Sequence, residues 1–127
     1  MGSVIKSDIE KAEHIKILIS TFYERVRNDS LLSTAINDHT ISNWSEHLTI
    51  MCQFWQTILL DKEPYKGTPA KKHADLRLGN KHFDRWITIF HQTLDDLYAG
   101  PVTEEAKFHA HKMAEIFRYK LELTRFG

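Results

Sequence analysis

Apolar residues recur three and four positions apart along nearly the whole chain. The residues that interrupt helices, three prolines and five glycines, gather in a few places. That pattern predicts an all-α fold. The first helix is expected from roughly 8 to 27, with Ser7 as N-cap and Ile15, Leu18, Ile19, Phe22 and Val26 as its core stripe. A short turn of helix through Leu31, Leu32 and Ile36 follows. Residues 37 to 42 form a connector, and a helix from about Ser42 to Leu60, capped by Ser42 or Thr40, carries Trp44, Leu48, Met51, Cys52, Trp55 and Leu59 on one face. Pro64, Gly67 and Pro69 make Asp61 to Ala70 an extended loop, after which His73 falls on a very short helix. The next long helix, about Asn80 to Tyr98, aligns Phe83, Trp86, Ile87, Phe90, Leu94 and Leu97 and stops at Gly100-Pro101. The last is expected to start with Thr103 as N-cap, place Glu104 and Glu105 in its first turn, and continue through Phe108, Met113, Ile116, Phe117 and Leu121.

A chain of 127 residues makes one domain, 1–127, able to bury roughly two thirds of its unfolded surface and so to enclose a cofactor-sized cavity. Seventeen basic residues balance seventeen acidic ones, so no net field draws in nucleic acid or an anionic membrane. The single cysteine, Cys52, excludes an intramolecular disulfide and a thiolate cluster, in keeping with a reducing compartment. No stretch has the length of a membrane span, the N-terminus lacks the pattern of a signal peptide, and Lys6 stands where a myristoylation motif wants Ser or Thr. The expectation is a soluble, cytoplasmic protein.

The chemistry centres on His73 in Lys71-Lys72-His73-Ala74-Asp75-Leu76, between two aromatic helices that could clamp a flat ligand. A neutral imidazole can give one ring nitrogen to heme iron and keep its other N–H for an acceptor. Taken alone, a histidine after a Pro/Gly loop is more often a surface or capping residue. Its neighbours in the pattern strengthen the metal reading. Tyr23, beside the core stripe, would point a phenol into a pocket, where it is either a core tyrosine bonded to backbone or a donor to a bound ligand. Trp86 poses the same choice, since an indole N–H only donates. His47 shares a helical face with Trp44 and Met51; it is either exposed or a distal residue that donates, gates or ligates. His109 and His111, two apart, diverge on a helix, and no zinc-binding, nucleophile-elbow or P-loop motif occurs. The aromatic stripe Phe83, Trp86 and Phe90 is core packing first and cofactor wall second.

Six patches in order then resemble one family: Phe22-Tyr23-Glu24-Arg25-Val26-Arg27, Trp44-Ser45-Glu46-His47, Phe54-Trp55, Tyr65-Lys66-Gly67-Thr68-Pro69, Lys72-His73-Ala74-Asp75-Leu76 and His82-Phe83-Asp84-Arg85-Trp86. Over nearly its whole length the chain is similar to the truncated hemoglobins of the third group, bacterial two-over-two helical sandwiches around heme. The absence of the paired-glycine motifs of the first two groups fits the third. The resemblance implies heme b with His73 as proximal iron ligand, and a distal pocket of Tyr23, His47 and Trp86. It further implies heme or core contacts from Ile36, Met51, Trp55, Phe83, Phe90, Met113 and Phe117. Ile36 is a departure: globins generally place a phenylalanine there, and an isoleucine can pack on a porphyrin but cannot stack on it.

The implied function is binding of dioxygen, nitric oxide or carbon monoxide, with a polar pocket suited to slow release or to O2/NO chemistry. Two other readings stay open. One is a heme enzyme, a nitric oxide dioxygenase or a peroxidase-like catalyst, served by a separate reductase because no nucleotide- or flavin-binding pattern occurs in the chain. The other is a cofactor-free helical interaction module.

Overall fold

The computed structural model describes residues 6–36, 44–63 and 79–126, and the described residues are helical with short connections. Five helices are present among them: α1 (Ala12–Asn28), α2 (Ser30–Ile36), α3 (Trp44–Leu59), α4 (Asn80–Leu97) and α5 (Pro101–Phe126). His73 and the short helix expected around it fall outside the described residues, as do the 37–42 connector and most of the Pro/Gly loop; so do the side chains of Ile36, Trp44 and Phe117.

The helices form two pairs, α1 with α3 and α4 with α5. The pairs lie one on the other through contacts of α1 with α4 and of α3 with α5. Apolar spacing explains the arrangement, since each helix offers one stripe that only another helix can cover. On α1 the expected stripe is the buried one, with Ile15, Leu18, Ile19, Phe22 and Val26 at most 1% exposed. Trp55 and Leu59 of α3 and Phe90 and Leu94 of α4 meet it to make a single core.

Two helix starts differ from expectation. α1 begins at Ala12, with Lys11 as an N-cap that makes no side-chain bond, so Ser7 does not cap it. Residues 6–10 instead run along the α4–α5 corner. There the Ser7 carbonyl accepts the Ala99 N–H, Lys6 Nζ donates to the Asp95 carbonyl, and Ile9 is buried. Nor is Thr103 the cap of α5, which begins two residues earlier at Pro101. Asp8 reaches across the fold and accepts the N–H groups of Val102 and Thr103 and the Thr103 hydroxyl, all within 2.7 to 2.8 Å. It thereby satisfies first-turn donors that a helix cannot satisfy itself. Gly100 is required at this corner. Its φ is +143°, and a Cβ there would come within 2.5 Å of the Asp8 carboxyl carbon.

Burial raises the Asp8 pKa, but hydrogen bonds from Thr103, Val102 and Ile9 outweigh it and hold the carboxyl below its usual 3.8. A depressed folded-state pKa adds stability above the unfolded value, and that stability is lost as pH falls through the folded one. Asp8→Ala is therefore expected to cost about 1 to 2 kcal/mol at neutral pH, as helix caps do. The gap from wild type should narrow below about pH 4. Urea unfolding at pH 7 and pH 3 measures it, and an equal loss at both values would refute the assignment.

A second acidic anchor stands at the α1–α2 junction. Asp29 Oδ2 accepts the Leu32 N–H, and Oδ1 takes Arg85 Nε of α4 at 2.7 Å. Burial raises its pKa, but the Leu32 and Arg85 bonds bring it below the ordinary carboxylate value. Arg25 of α1 similarly bonds Thr93 Oγ1 and pairs with Asp96 on α4.

The last helix departs from its apolar spacing. Its inner face is built of alanines: Ala106 and Ala110 are fully buried and Ala114 is 3% exposed, whereas Phe108 and Ile116 are 58% and 50% exposed. Small side chains let α5 lie close along α4. The short connection from Leu97 to Pro101 turns α5 back antiparallel to α4, and Lys107 pairs with Asp95 and Arg118 with Asp84 along the two helices.

Candidate ligand pocket between the helix pairs

Tyr23 and His47 come from different helices, and the fold brings them together. Their rings meet edge to face with centroids 5.0 Å apart. Tyr23 is buried at 7% exposure among the residues of the α1–α3 junction. A phenol is neutral at physiological pH, and burial, reinforced by the nearby Cys52 thiol, pushes the Tyr23 pKa further above the ordinary phenol value. His47 is half-buried, with Nε2 shielded from solvent. Met51, one turn further along α3, is buried at 8% exposure.

An aromatic wall stands beside this pair. Trp86 and Phe90 of α4 stack with planes only 2° apart at 5.4 Å, and Trp55 of α3 stacks on Phe90 at 5.0 Å. Phe22 of α1 sets its edge against both Trp86 and Phe90, at 5.4 and 4.9 Å, and against its neighbour Tyr23. The third distal candidate, Trp86, is thus joined to Tyr23 through the Phe22 ring. It is half-buried.

The remaining candidates are less closely grouped. Phe83 is buried in a smaller cluster with Ala114, Trp86 and Ile87, and its ring carries the Arg118 guanidinium at 5.8 Å. Met113 of α5 is partly buried against the main core. The two α5 histidines each sit one turn from a glutamate, His109 from Glu105 and His111 from Glu115, and no group of three metal-ligating side chains occurs among the described residues. Sequence reasoning placed Phe22 in the core stripe without seeing that it links two distal candidates. Its spacing of one from Tyr23 gave no hint, because adjacent helical positions point in different directions.

The donor set suits a flat, largely apolar cofactor carrying a small polar ligand. Apolar rings make the wall, and the polar tips belong to an un-ionised phenol, an imidazole and an indole, with no carboxylate among them.

Comparison with known proteins agrees with this geometry. The model of the bacterial-like globins matches residues 7–119. A group 3 truncated hemoglobin of Campylobacter jejuni is 33% identical over 121 residues, covering 92% of this chain and 95% of the relative. The crystal structure of the group III truncated hemoglobin from the same organism superposes with a TM-score of 0.79 at 30% identity, over 92% of this chain and 95% of that one. The helix pairing, the ordered sequence patches and these matches converge: the chain belongs to the bacterial-like globins, a heme-binding family, and within them to the truncated hemoglobins of group III.

Proposed function

We propose that the protein binds heme b, with His73 as the residue that would hold its iron, and that Tyr23, His47 and Trp86 would hold dioxygen, nitric oxide or carbon monoxide bound there. The observation that carries the reading is the meeting of a buried, neutral Tyr23 phenol with His47 beside a stacked aromatic wall. When bound, heme supplies an iron centre for ligand binding and electron exchange.

The chain's own residues supply the rest. Tyr23 keeps its proton and offers it as a hydrogen-bond donor, and the Trp86 indole can only donate. His47, in ring contact with Tyr23, orients the phenol and stands where it can admit or block a ligand. Met51, Trp55 and Phe90 are buried and exclude water, which strengthens each polar contact made inside. Donors in such a site favour ligands with partial negative charge and slow their release, which suits retention or O2/NO chemistry better than delivery. A cytoplasmic setting is supported by the lone Cys52 and by the absence, among the described residues, of a helix long and apolar enough to cross a membrane.

Reconstitution of the full chain with hemin tests the reading. The expected result is a strong Soret band that shifts on reduction and again with carbon monoxide; failure to take up hemin overturns it. In the loaded protein, Tyr23→Phe is expected to speed dioxygen release. One such hydrogen bond contributes about 1 to 3 kcal/mol, or about 5- to 150-fold in rate. Flash photolysis or stopped flow reads the effect, and an unchanged rate would remove Tyr23 from the donor set.

A further inference from the structure

The outer face of α5 carries Phe108, Ile116 and Tyr119 at 58%, 50% and 63% exposure, an apolar stripe that no other described element covers. Phe108, Lys112, Glu115 and Tyr119 follow at steps of four, three and four residues, so they form one line along the helix. Ile116 flanks that line, one turn from both Lys112 and Tyr119. Read from either end, the line is aromatic, charged, charged, aromatic, and reversal exchanges Lys112 with Glu115.

We propose that this face is the contact between two copies of the chain, packed as antiparallel α5 helices about a two-fold axis between residues 113 and 114. That axis sets Phe108 of each copy against Tyr119 of the other, and Lys112 of each against Glu115 of the other. A two-fold contact requires such self-complementarity, residue i meeting j while j meets i. Both ion pairs form at once, with an aromatic pair beyond each. Within one copy, among the described residues, these charges have exposed partners. Lys112 lies over the Phe108 ring at 5.0 Å, and Glu115 pairs with His111 at 3.1 Å with both side chains at least 60% exposed. Such contacts hold little energy and give way easily to a partner. A net charge of zero adds no long-range repulsion between copies.

Sedimentation velocity of the full-length, heme-loaded chain over a concentration series tests the proposal. Wild type is expected to show a concentration-dependent shift to dimer mass. Lys112→Glu or Glu115→Lys alone faces like charges twice and should weaken self-association about tenfold or more. The double variant K112E/E115K should restore it. An equimolar mixture of the two single variants should also dimerise, because both cross-pairs of the mixed dimer are then opposite in sign. Circular dichroism checks that each variant keeps its helix content. A monomeric wild type across the series, which would leave the face to a different protein, overturns the proposal. So do a dimer indifferent to the single swaps and a double variant that fails to recover.

Discussion

His73→Ala is expected to leave a folded chain that no longer forms a stable, redox-responsive heme complex. Among the described residues, α1, α3, α4 and α5 bury their apolar stripes against one another in a single core. Far-UV circular dichroism of the apo variant should therefore match that of apo wild type. What changes is cofactor affinity. Iron would lose its imidazole ligand, and the aromatic wall alone would retain hemin only by nonspecific burial. The readout has two parts. Hemin titration should give a weaker, broadened Soret band, and the stabilisation that a cofactor confers by binding only the folded state should disappear. At a hundredfold excess over Kd that stabilisation is about 2.7 kcal/mol, easily seen as a shift in Tm. Added free imidazole, small enough to enter the vacated space, should restore part of the wild-type spectrum. A variant with an undiminished, redox-responsive Soret band would move the iron to another histidine. His47, already at the pocket, would be the next to test.

The largest expected stability loss comes from Phe90→Ala. Phe90 is fully buried, stacks on Trp55 and Trp86, and takes the Phe22 edge, so one ring joins three helices. Removing it should cost about 3 to 5 kcal/mol through lost burial and the cavity left behind. That is a large share of the roughly 5 to 15 kcal/mol by which a domain is stable. Phe90→Leu retains much of the volume and should cost appreciably less. Urea unfolding separates the two, with midpoints ordered wild type, Leu, Ala and an unchanged slope. A loss under about 1 kcal/mol for the alanine variant would mean that the neighbouring rings close the gap. The same variant unseats Trp86 from its stacking partner, so loss of stability and altered ligand release should appear together in heme-loaded protein.

The helices, the order of the core stripes and the Gly100-Pro101 stop were legible from residue spacing, because they depend on neighbours a few positions away. Periodicity of 3.6 decides which residues share a face, and proline and glycine decide where a helix cannot continue. The family resemblance was legible for the same reason, since its patches are short, local and in order. The start of α5 was not. Its first turn is capped by Asp8, more than ninety positions earlier, and a carboxylate's choice of distant N–H groups depends on how the chain closes. Thr103 was a reasonable local cap that lost to this long-range one, and Ser7 lies outside α1, where its carbonyl takes the Ala99 N–H. The tie of Asp29 to Arg85 was hidden likewise, although Arg85 sits inside a patch that the sequence singled out.

Apolar content also misled on α5. Phe108 and Ile116 carry more hydrophobic surface than Ala106 and Ala110, yet the alanines are buried because the close approach of α4 leaves room only for small side chains. At the pocket, the sequence by itself determined which residues bear useful chemistry: a phenol, an indole and imidazoles on separate helices. Only the tertiary structure decided that Tyr23 meets His47, that Phe22 bridges Tyr23 to Trp86, and that the phenol is buried. Helical periodicity orders residues around one axis, whereas the meeting of side chains from three helices depends on how those axes cross, a property of the assembled core.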